Sequence, residues 1–211
     1  MLNLFHAPGS CSRAAHIALC EANAPHTVTR VDLAQYEQRS ADYLATNPKG
    51  RVPALATPRG VLTENIAILV YIAQAFPEAR LAPLDDPFDF ARMQAFNAYL
   101  SSTVHVAHAH RVRGIRWVEE DDAASIAAMR AKTPKTMSEC FQLMNDELFE
   151  GPWVLGEDYS VADGYLFTLS LWLPAHGLEL ASFARIAEHN ERMLARPAVQ
   201  AALAVDAEQT P

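Results

Sequence analysis

The segment 47–55 (NPKGRVPAL) constrains the possible folds of this 211-residue chain more than any other segment. It predicts a turn followed by a short apolar strand that begins at Pro53. Proline cannot donate a backbone hydrogen bond to a sheet, so it is confined to the first residue or the edge of a strand. The backbone of Val52, which precedes it, is therefore expected to face outward, where it can pair with an extended peptide.

An acidic residue follows shortly afterwards, at the predicted start of a helix. The order is a hairpin around 59–60, then Glu64 and Asn65, within an apolar helix over 64–75. Free N–H groups and the dipole at a helix N-terminus favour a carboxylate. A pairing edge beside an anion site suits a small acidic peptide, although an ordinary hairpin that enters a helix explains these residues equally well.

The first 75 residues predict the element order βαβαββα. Strands are expected at 2–5, 27–33, 53–56 and 61–62, and helices after Cys11, at 40–45 and at 64–75. Alternating β-branched residues mark the second strand, and the breaker residues 7–9 end the first. This order predicts an α/β domain, with Cys11 at or near the N-terminus of its first helix.

The rest of the chain predicts helices only. Prolines interrupt the pattern after residue 76, so a linker is predicted over 77–86. Helices are expected at 88–113, 123–149, 160–175 and 183–195. Gly114 is the expected C-cap of the first of these, and Ser160 and Asp163 have the spacing of a capping box.

Composition and charge argue against several classes of protein. The formal net charge of -8 is unlike that of a nucleic-acid binder, which carries a basic face. The N-terminus lacks the regions of a secretory signal, and no segment approaches the ~18–20 apolar residues of a membrane span. The three cysteines are widely spaced, which fits a reducing cytoplasm. We expect a cytoplasmic protein without nucleic-acid or membrane partners.

In their order and spacing, motifs at 7–12 (APGSCS), 47–55, 62–65 (LTEN) and 160–163 (SVAD) resemble the glutathione transferase superfamily, most closely its bacterial beta class. The resemblance covers essentially the whole chain. It implies a thioredoxin-like, glutathione-binding domain over 1–76 and an all-α domain over 87–211 that forms the acceptor pocket. It also implies a homodimer that uses glutathione as co-substrate in detoxification, with a small hydrophobic electrophile as the acceptor.

The same resemblance assigns roles to the residues of the opening motifs. Pro53 would follow a cis peptide bond, and Val52 would pair with the cysteinyl backbone of glutathione. Glu64 and Asn65 would bind the γ-glutamyl end. The binding set that the resemblance implies also includes Tyr36, Lys49 and Ser102. Relatives carry at the position of Tyr36 a lysine that contacts the glycine end.

Cys11 and His105 are the candidate catalytic residues, and both match residues of the beta class. A helix N-terminus lowers the pKa of a thiol, so Cys11 is expected to be reactive or to stabilise the glutathione thiolate. His105 would polarise the sulfur or the electrophile. Ser12 is the alternative thiol activator, because serine has this role in other classes of the superfamily.

The sequence predicts no metal site. His105, His108 and His110 have no carboxylate or cysteine at ligand spacing beside them. Cys20 and Cys140 fall on apolar faces of helices and are expected to belong to the core.

Three other functions remain open at this point. The first is a glutathione-dependent thiol–disulfide oxidoreductase that uses Cys11 covalently. The second is a glutathione-dependent isomerase or dehalogenase. The third is a non-enzymatic scaffold of the same fold, against which the retained Cys11, Glu64 and Asn65 argue.

Overall fold

The computed structural model of the chain describes residues 1–209. Its strands are β1 (Leu2–His6), β2 (His26–Arg30), β3 (Ala54–Thr57) and β4 (Gly60–Thr63), arranged as one sheet in the order β2-β1-β3-β4. β1 runs parallel to β2, with Leu4 opposite Val28, and antiparallel to β3, with Leu4 opposite Leu55. β3 and β4 form the predicted hairpin, with Ala56 opposite Val61.

Three helices accompany the sheet: α1 (Ser12–Glu21), α2 (Ala41–Thr46) and α3 (Asn65–Ala75). The predicted order βαβαββα is therefore confirmed. α3 forms because its apolar run has a buried face: Ile68, Leu69 and Ile72 are fully buried in the main core. α2 begins where Ser40 accepts a hydrogen bond from the Tyr43 backbone, which is an ordinary N-cap.

The second part of the described chain is helical, as predicted. Its helices are α4 (Pro87–Tyr99), α5 (His105–Val112), α6 (Ala123–Leu143), α7 (Val161–Ser170), α8 (Ala184–Leu194) and α9 (Pro197–Gln209). A π-helical segment, Leu100–Val104, joins α4 to α5, so the predicted helix 88–113 is one rod with a wider turn just before His105. Another, Met144–Leu148, extends α6 to the predicted length.

Two expectations about helix ends were wrong. α5 ends at Val112, and Gly114 starts a 3₁₀ turn without the positive φ that a C-cap glycine adopts. α7 ends at Ser170 rather than at 175, because a 3₁₀ turn over Leu173–His176 follows it. α9 was not predicted; Pro197 occupies its first position, where proline is tolerated.

α1 is central to the packing of the molecule. It contacts α3 on the side of the sheet and α7 and α9 on the side of the later helices. Its buried residues therefore belong to a core that runs from the sheet into the helical part. The division into 1–76, 77–86 and 87–211 stays a prediction. Within residues 1–209, no helix has the length and apolar character needed to cross a bilayer.

Candidate functional site

The loop before β3 has the backbone that the resemblance implied. The Val52–Pro53 peptide bond is cis. The Tyr43 hydroxyl and the Asn47 amide both donate to the Arg51 carbonyl, at 2.7 Å and 2.6 Å, and so fix the loop just before it. The Cys11 thiol donates to the Val52 carbonyl across 3.4 Å. The structure thus brings Cys11 and the predicted backbone-pairing residue together.

Cys11 is the N-cap residue of α1, as expected, but its electrostatics differ from the prediction. Its side chain is buried, with 8% of the residue exposed. Burial raises the pKa of the Cys11 thiol to about 12. The backbone hydrogen bond and the charges of Arg116 and Arg51 lower the pKa, but their effect is smaller than that of burial. The expectation of a lowered pKa was wrong, because desolvation of a thiolate outweighs the helix N-terminus here. Cys11 is a neutral thiol at pH 7.

Glu64, Asn65 and Lys49 meet at the start of α3. Glu64 has a φ of 74°, which is costly for a residue with a side chain and is typical of functional sites. Its exposed carboxylate accepts from Lys49 Nζ at 2.5 Å, and Lys49 also donates to Thr63. The Asn65 amide is buried and interacts with the Tyr165 hydroxyl.

His105 lies close enough to this group for their charges to interact. Its Nδ1 is 3.5 Å from the Tyr165 hydroxyl, and burial, followed by the charges of Arg116 and Arg51, lowers its pKa to about 4. Burial and the charge of Cys11 raise the pKa of Tyr165, so that hydroxyl stays protonated. His105 is therefore a neutral imidazole at pH 7, able to accept a hydrogen bond.

Ser12 does not reach the thiol in this structure. It is fully buried, and its hydroxyl donates to His6 Nδ1 at 2.7 Å. The Ala7 N–H and the Ser10 hydroxyl lie at 3.1 Å and 2.6 Å from the same oxygen. These contacts hold the Ser12 hydroxyl within its own loop, and its role as a thiol activator stays a prediction.

The loop that carries Cys11 is instead anchored by the last helix. Asp206 of α9 accepts from His6 Nε2 at 2.6 Å, from Arg13 Nε at 2.7 Å and from the Gly9 N–H at 3.1 Å. Burial alone would raise the pKa of Asp206, but the hydrogen bond from His6 and the charge of Arg13 lower it to about 2. The ionised Asp206 carboxylate therefore holds the loop on both sides of Cys11, through His6 and Gly9 before it and Arg13 after it.

Trp172 is a residue to which the sequence assigned no role. Its indole N–H donates to the Gly9 carbonyl at 2.9 Å, and its ring packs edge-on against His105 and stacks on His108 with centroids 4.2 Å apart. The Trp172 side chain therefore connects the loop before Cys11 to α5. The residues joined are 163 positions apart, so no local signal predicts the contact.

Four arginines contribute positive charge to this region: Arg39, Arg51, Arg113 and Arg116. Arg51 and Arg116 favour the thiolate of Cys11 and disfavour protonation of His105. Arg39 and Arg113 add to the positive field at Arg116. Arg39, Arg51, Arg113 and Arg116 form no ion pairs among the described residues. The site is therefore cationic within a protein of net negative charge.

Two members of the predicted binding set stay apart from these contacts. Tyr36 is 66% exposed and has a φ of 57° at the start of a 3₁₀ turn. Ser102 is exposed in the π-helical segment, and its hydroxyl donates to the Ala98 carbonyl at 2.7 Å. Within residues 1–209 neither forms a hydrogen bond with Cys11 or Glu64, so their roles stay predictions.

Comparison with known proteins gives a consistent result. Residues 1–74 match the family described as glutathione S-transferase, N-terminal domain. The chain is 34% identical over 208 residues to the glutathione S-transferase GstA of Escherichia coli O157:H7, covering 97% of this chain and 98% of that protein.

Solved structures agree over the full length. A glutathione transferase homologue from Sulfitobacter, with bound glutathione, has a TM-score of 0.93 at 43% identity and covers 100% of this chain and 99% of its own. A bacterial beta class glutathione S-transferase from Sphingomonas chungbukensis has a TM-score of 0.81 at 33% identity, covering 97% and 98%.

Proposed function

The chain belongs to the glutathione S-transferase superfamily and is similar to its bacterial beta class, and we propose that it binds glutathione between Cys11, Val52 and Glu64 and directs its thiol at a small hydrophobic electrophile. The observation that carries this proposal is the convergence of the Cys11 thiol and the Val52 carbonyl, with Glu64 close enough for its charge to act on Cys11. A peptide that pairs with Val52 has its sulfur near Cys11 and its acidic end near the start of α3.

The γ-glutamyl end accounts for the residues at the start of α3. The ligand's ammonium group binds the Glu64 carboxylate, either in place of Lys49 Nζ or beside it. Its α-carboxylate meets the free N–H groups of the helix and the buried Asn65 amide. The strained φ of Glu64 is explained if it aims this carboxylate at a ligand.

The cysteinyl residue of glutathione accounts for Val52 and Cys11. Its backbone N–H takes the Val52 carbonyl, which releases the Cys11 S–H from that oxygen. Because the pKa of Cys11 is high, its freed S–H donates to the glutathione sulfur, and a hydrogen bond to the charged form favours the thiolate.

The surrounding charges add to this effect. Arg51 and Arg116 favour a negative charge at the sulfur, and neutral His105 can accept a hydrogen bond from the thiol or bond to the electrophile. The thiolate then attacks the electrophile, and the thiol proton leaves to solvent or to the leaving group. The cationic cluster also suits the glycine carboxylate of glutathione.

A covalent role for Cys11 is the second candidate function. The contact that positions Cys11 beside the ligand sulfur also suits a mixed disulfide, as in thiol–disulfide exchange. The high pKa of Cys11 disfavours it, because the thiolate is the attacking form. We further propose that the protein acts in detoxification and that it is a cytoplasmic homodimer.

Titration calorimetry with glutathione tests the proposed site. The wild-type protein is expected to bind with a Kd between micromolar and millimolar. Glu64→Ala should weaken binding by at least about tenfold, the effect of losing one charge-assisted hydrogen bond of about 1.5 kcal/mol. Glu78→Ala removes an exposed carboxylate in the turn Pro77–Ala79 and should leave binding unchanged.

Two outcomes of the titration would contradict the proposal. Wild-type protein that does not bind glutathione would reject the proposed function, and equal binding by the wild type and Glu64→Ala would reject the placement of the γ-glutamyl end. Steady-state rates with an activated aryl chloride then establish transfer.

A further inference from the structure

A second cluster of reactive side chains lies where the end of α1 meets the start of β2. His16 and Cys20 are four positions apart on α1 and so share a face, and His26 opens β2 beside them. One ligand atom from each residue lies within 4.8 Å of those of the other two. The His16 and His26 rings meet edge to face, with centroids 5.4 Å apart.

The hydrogen bonding of the two histidines leaves a ring nitrogen of each available to a metal ion. His26 Nδ1 donates to the Ala24 carbonyl at 2.7 Å, which leaves Nε2 with a free lone pair. This backbone bond is the usual way in which proteins fix the tautomer of a metal-bound imidazole. His16 is 2% exposed, yet its Nδ1 has no hydrogen bond in the described part of the chain. A buried nitrogen without a partner is costly and calls for an explanation.

A neighbouring combination, His6, His16 and Asp206, is equally close but less suitable. Both nitrogens of His6 are already bonded, to Ser12 and to Asp206. Asp206 is also paired with Arg13, so a cation there would meet a positive charge and displace existing bonds. The set that remains available is His16, Cys20 and His26.

We propose that His16, Cys20 and His26 form a binding site for a thiophilic divalent metal ion of the zinc class. Two imidazoles and a thiolate are the donors that Zn²⁺ prefers, with water at a fourth position. Ligand atoms around tetrahedral zinc lie about 3.4–3.8 Å apart, as its bond lengths require. The longest separation in the cluster therefore needs to shorten by about 1.4 Å at most, and Cys20 and His26 are only partly buried.

Metal binding at this cluster has a defined proton balance. Burial, and then the charge of Glu21, raise the pKa of the Cys20 thiol to about 11, so the thiol is protonated before the ion arrives. The S–H proton passes to solvent, a metal–sulfur bond forms, and water leaves the hydrated ion. Glu21 is held by Arg196 and is not needed as a ligand. The sequence missed this site because His26 belongs to a different element from His16 and Cys20.

Cobalt titration of the full-length protein, without glutathione, is the test. Glutathione is left out because its thiol competes for the metal. One equivalent of Co²⁺ should give the intense near-ultraviolet absorption of a cobalt–thiolate bond, and one equivalent of Zn²⁺ should remove it. Cys20→Ala should abolish the band, and His26→Ala should weaken metal binding by more than about 100-fold, since it removes a direct ligand and not merely a supporting contact.

Matched variants control for the other cysteines and histidines. Cys140→Ala removes another core cysteine, and His110→Ala another histidine; both should keep the band and the affinity. Circular dichroism checks that every variant is folded. A wild-type protein without the band, or a band that survives Cys20→Ala, would overturn the proposal. Neither outcome bears on glutathione binding, which is measured separately.

Discussion

Replacement of Asp163 by alanine should destabilise the protein more than the loss of an ordinary helix cap. The Asp163 side chain is fully buried at the start of α7. Its Oδ2 accepts from the Ser160 N–H at 2.8 Å, which closes the predicted capping box. Its Oδ1 accepts from the Val154 N–H at 2.8 Å and from His189 Nε2 at 3.0 Å. One carboxylate therefore ties α7 to α8 and to the preceding loop.

The size of the effect follows from these bonds. Asp163→Ala leaves two backbone N–H groups and an imidazole N–H buried without an acceptor. An unsatisfied buried donor costs about 1–3 kcal/mol, so the total for three donors should be about 3–9 kcal/mol. Native proteins are stable by only about 5–15 kcal/mol, so the variant should be marginally folded. Because α7 also carries Tyr165, which contacts His105, glutathione binding should fall with the folded fraction.

Urea unfolding at one fixed protein concentration measures this effect, with tryptophan fluorescence and circular dichroism as probes. Asp86→Ala is the matched control, because Asp86 caps α4 through two backbone N–H groups but is exposed. It should lose about 1 kcal/mol. Asp163→Asn keeps one acceptor oxygen and should fall between the two, which preserves the test if Asp163→Ala does not fold. A loss for Asp163→Ala no larger than that for Asp86→Ala, with an unchanged m-value, would refute the reasoning.

Three further predictions concern the loop that carries Cys11. Cys11→Ala should lower transferase turnover by only about fivefold, since one hydrogen bond is worth about 1 kcal/mol, while glutathione–disulfide exchange disappears; a loss of transfer beyond about 1,000-fold in steady-state assays would instead indicate covalent catalysis. Trp172→Phe keeps a ring beside His105 and removes the donor to Gly9, so the KM for glutathione should rise by about fivefold with little change in kcat, and an unaltered KM would deny the contact a positioning role. Asp206 has a folded pKa of about 2 against an ordinary 3.8, so its stabilisation is present above pH 4 and is lost as the pH falls towards 2. Asp206→Asn should be less stable than wild type at pH 7 and should show a shallower acid dependence in urea melts; an identical acid limb would contradict this.

Features that depend on a few neighbouring residues were predictable from the sequence. The hairpin, the helix after Glu64 and the capping box at Ser160 and Asp163 each follow from local turn chemistry, proline placement or helix capping. The end of α5 was less predictable, because Gly114 has the composition of a C-cap but not its backbone conformation. α9 was missed because proline both ends and begins helices.

Contacts between distant residues could not be predicted. Asp206 and His6 are 200 positions apart, yet their bond fixes the loop that carries Cys11. No periodicity or motif encodes such a pair, since each residue alone is compatible with an exposed position. The indole bond from Trp172 to Gly9 is of the same kind. The bond from Ser12 to His6 also joins different elements, and it holds the Ser12 hydroxyl inside the loop.

The environment of Cys11 has opposite consequences for the protein's own thiol and for a ligand's thiol. Burial keeps Cys11 protonated although Arg51, Arg116 and a helix N-terminus all favour its thiolate. In the proposed complex, a glutathione sulfur beside Cys11 meets the same cations and receives the S–H of Cys11 as a donor. Two thiolates side by side would repel each other, so a neutral Cys11 is what allows the ligand to carry the charge. The high pKa of Cys11 therefore supports transfer from glutathione over exchange at the protein's own cysteine.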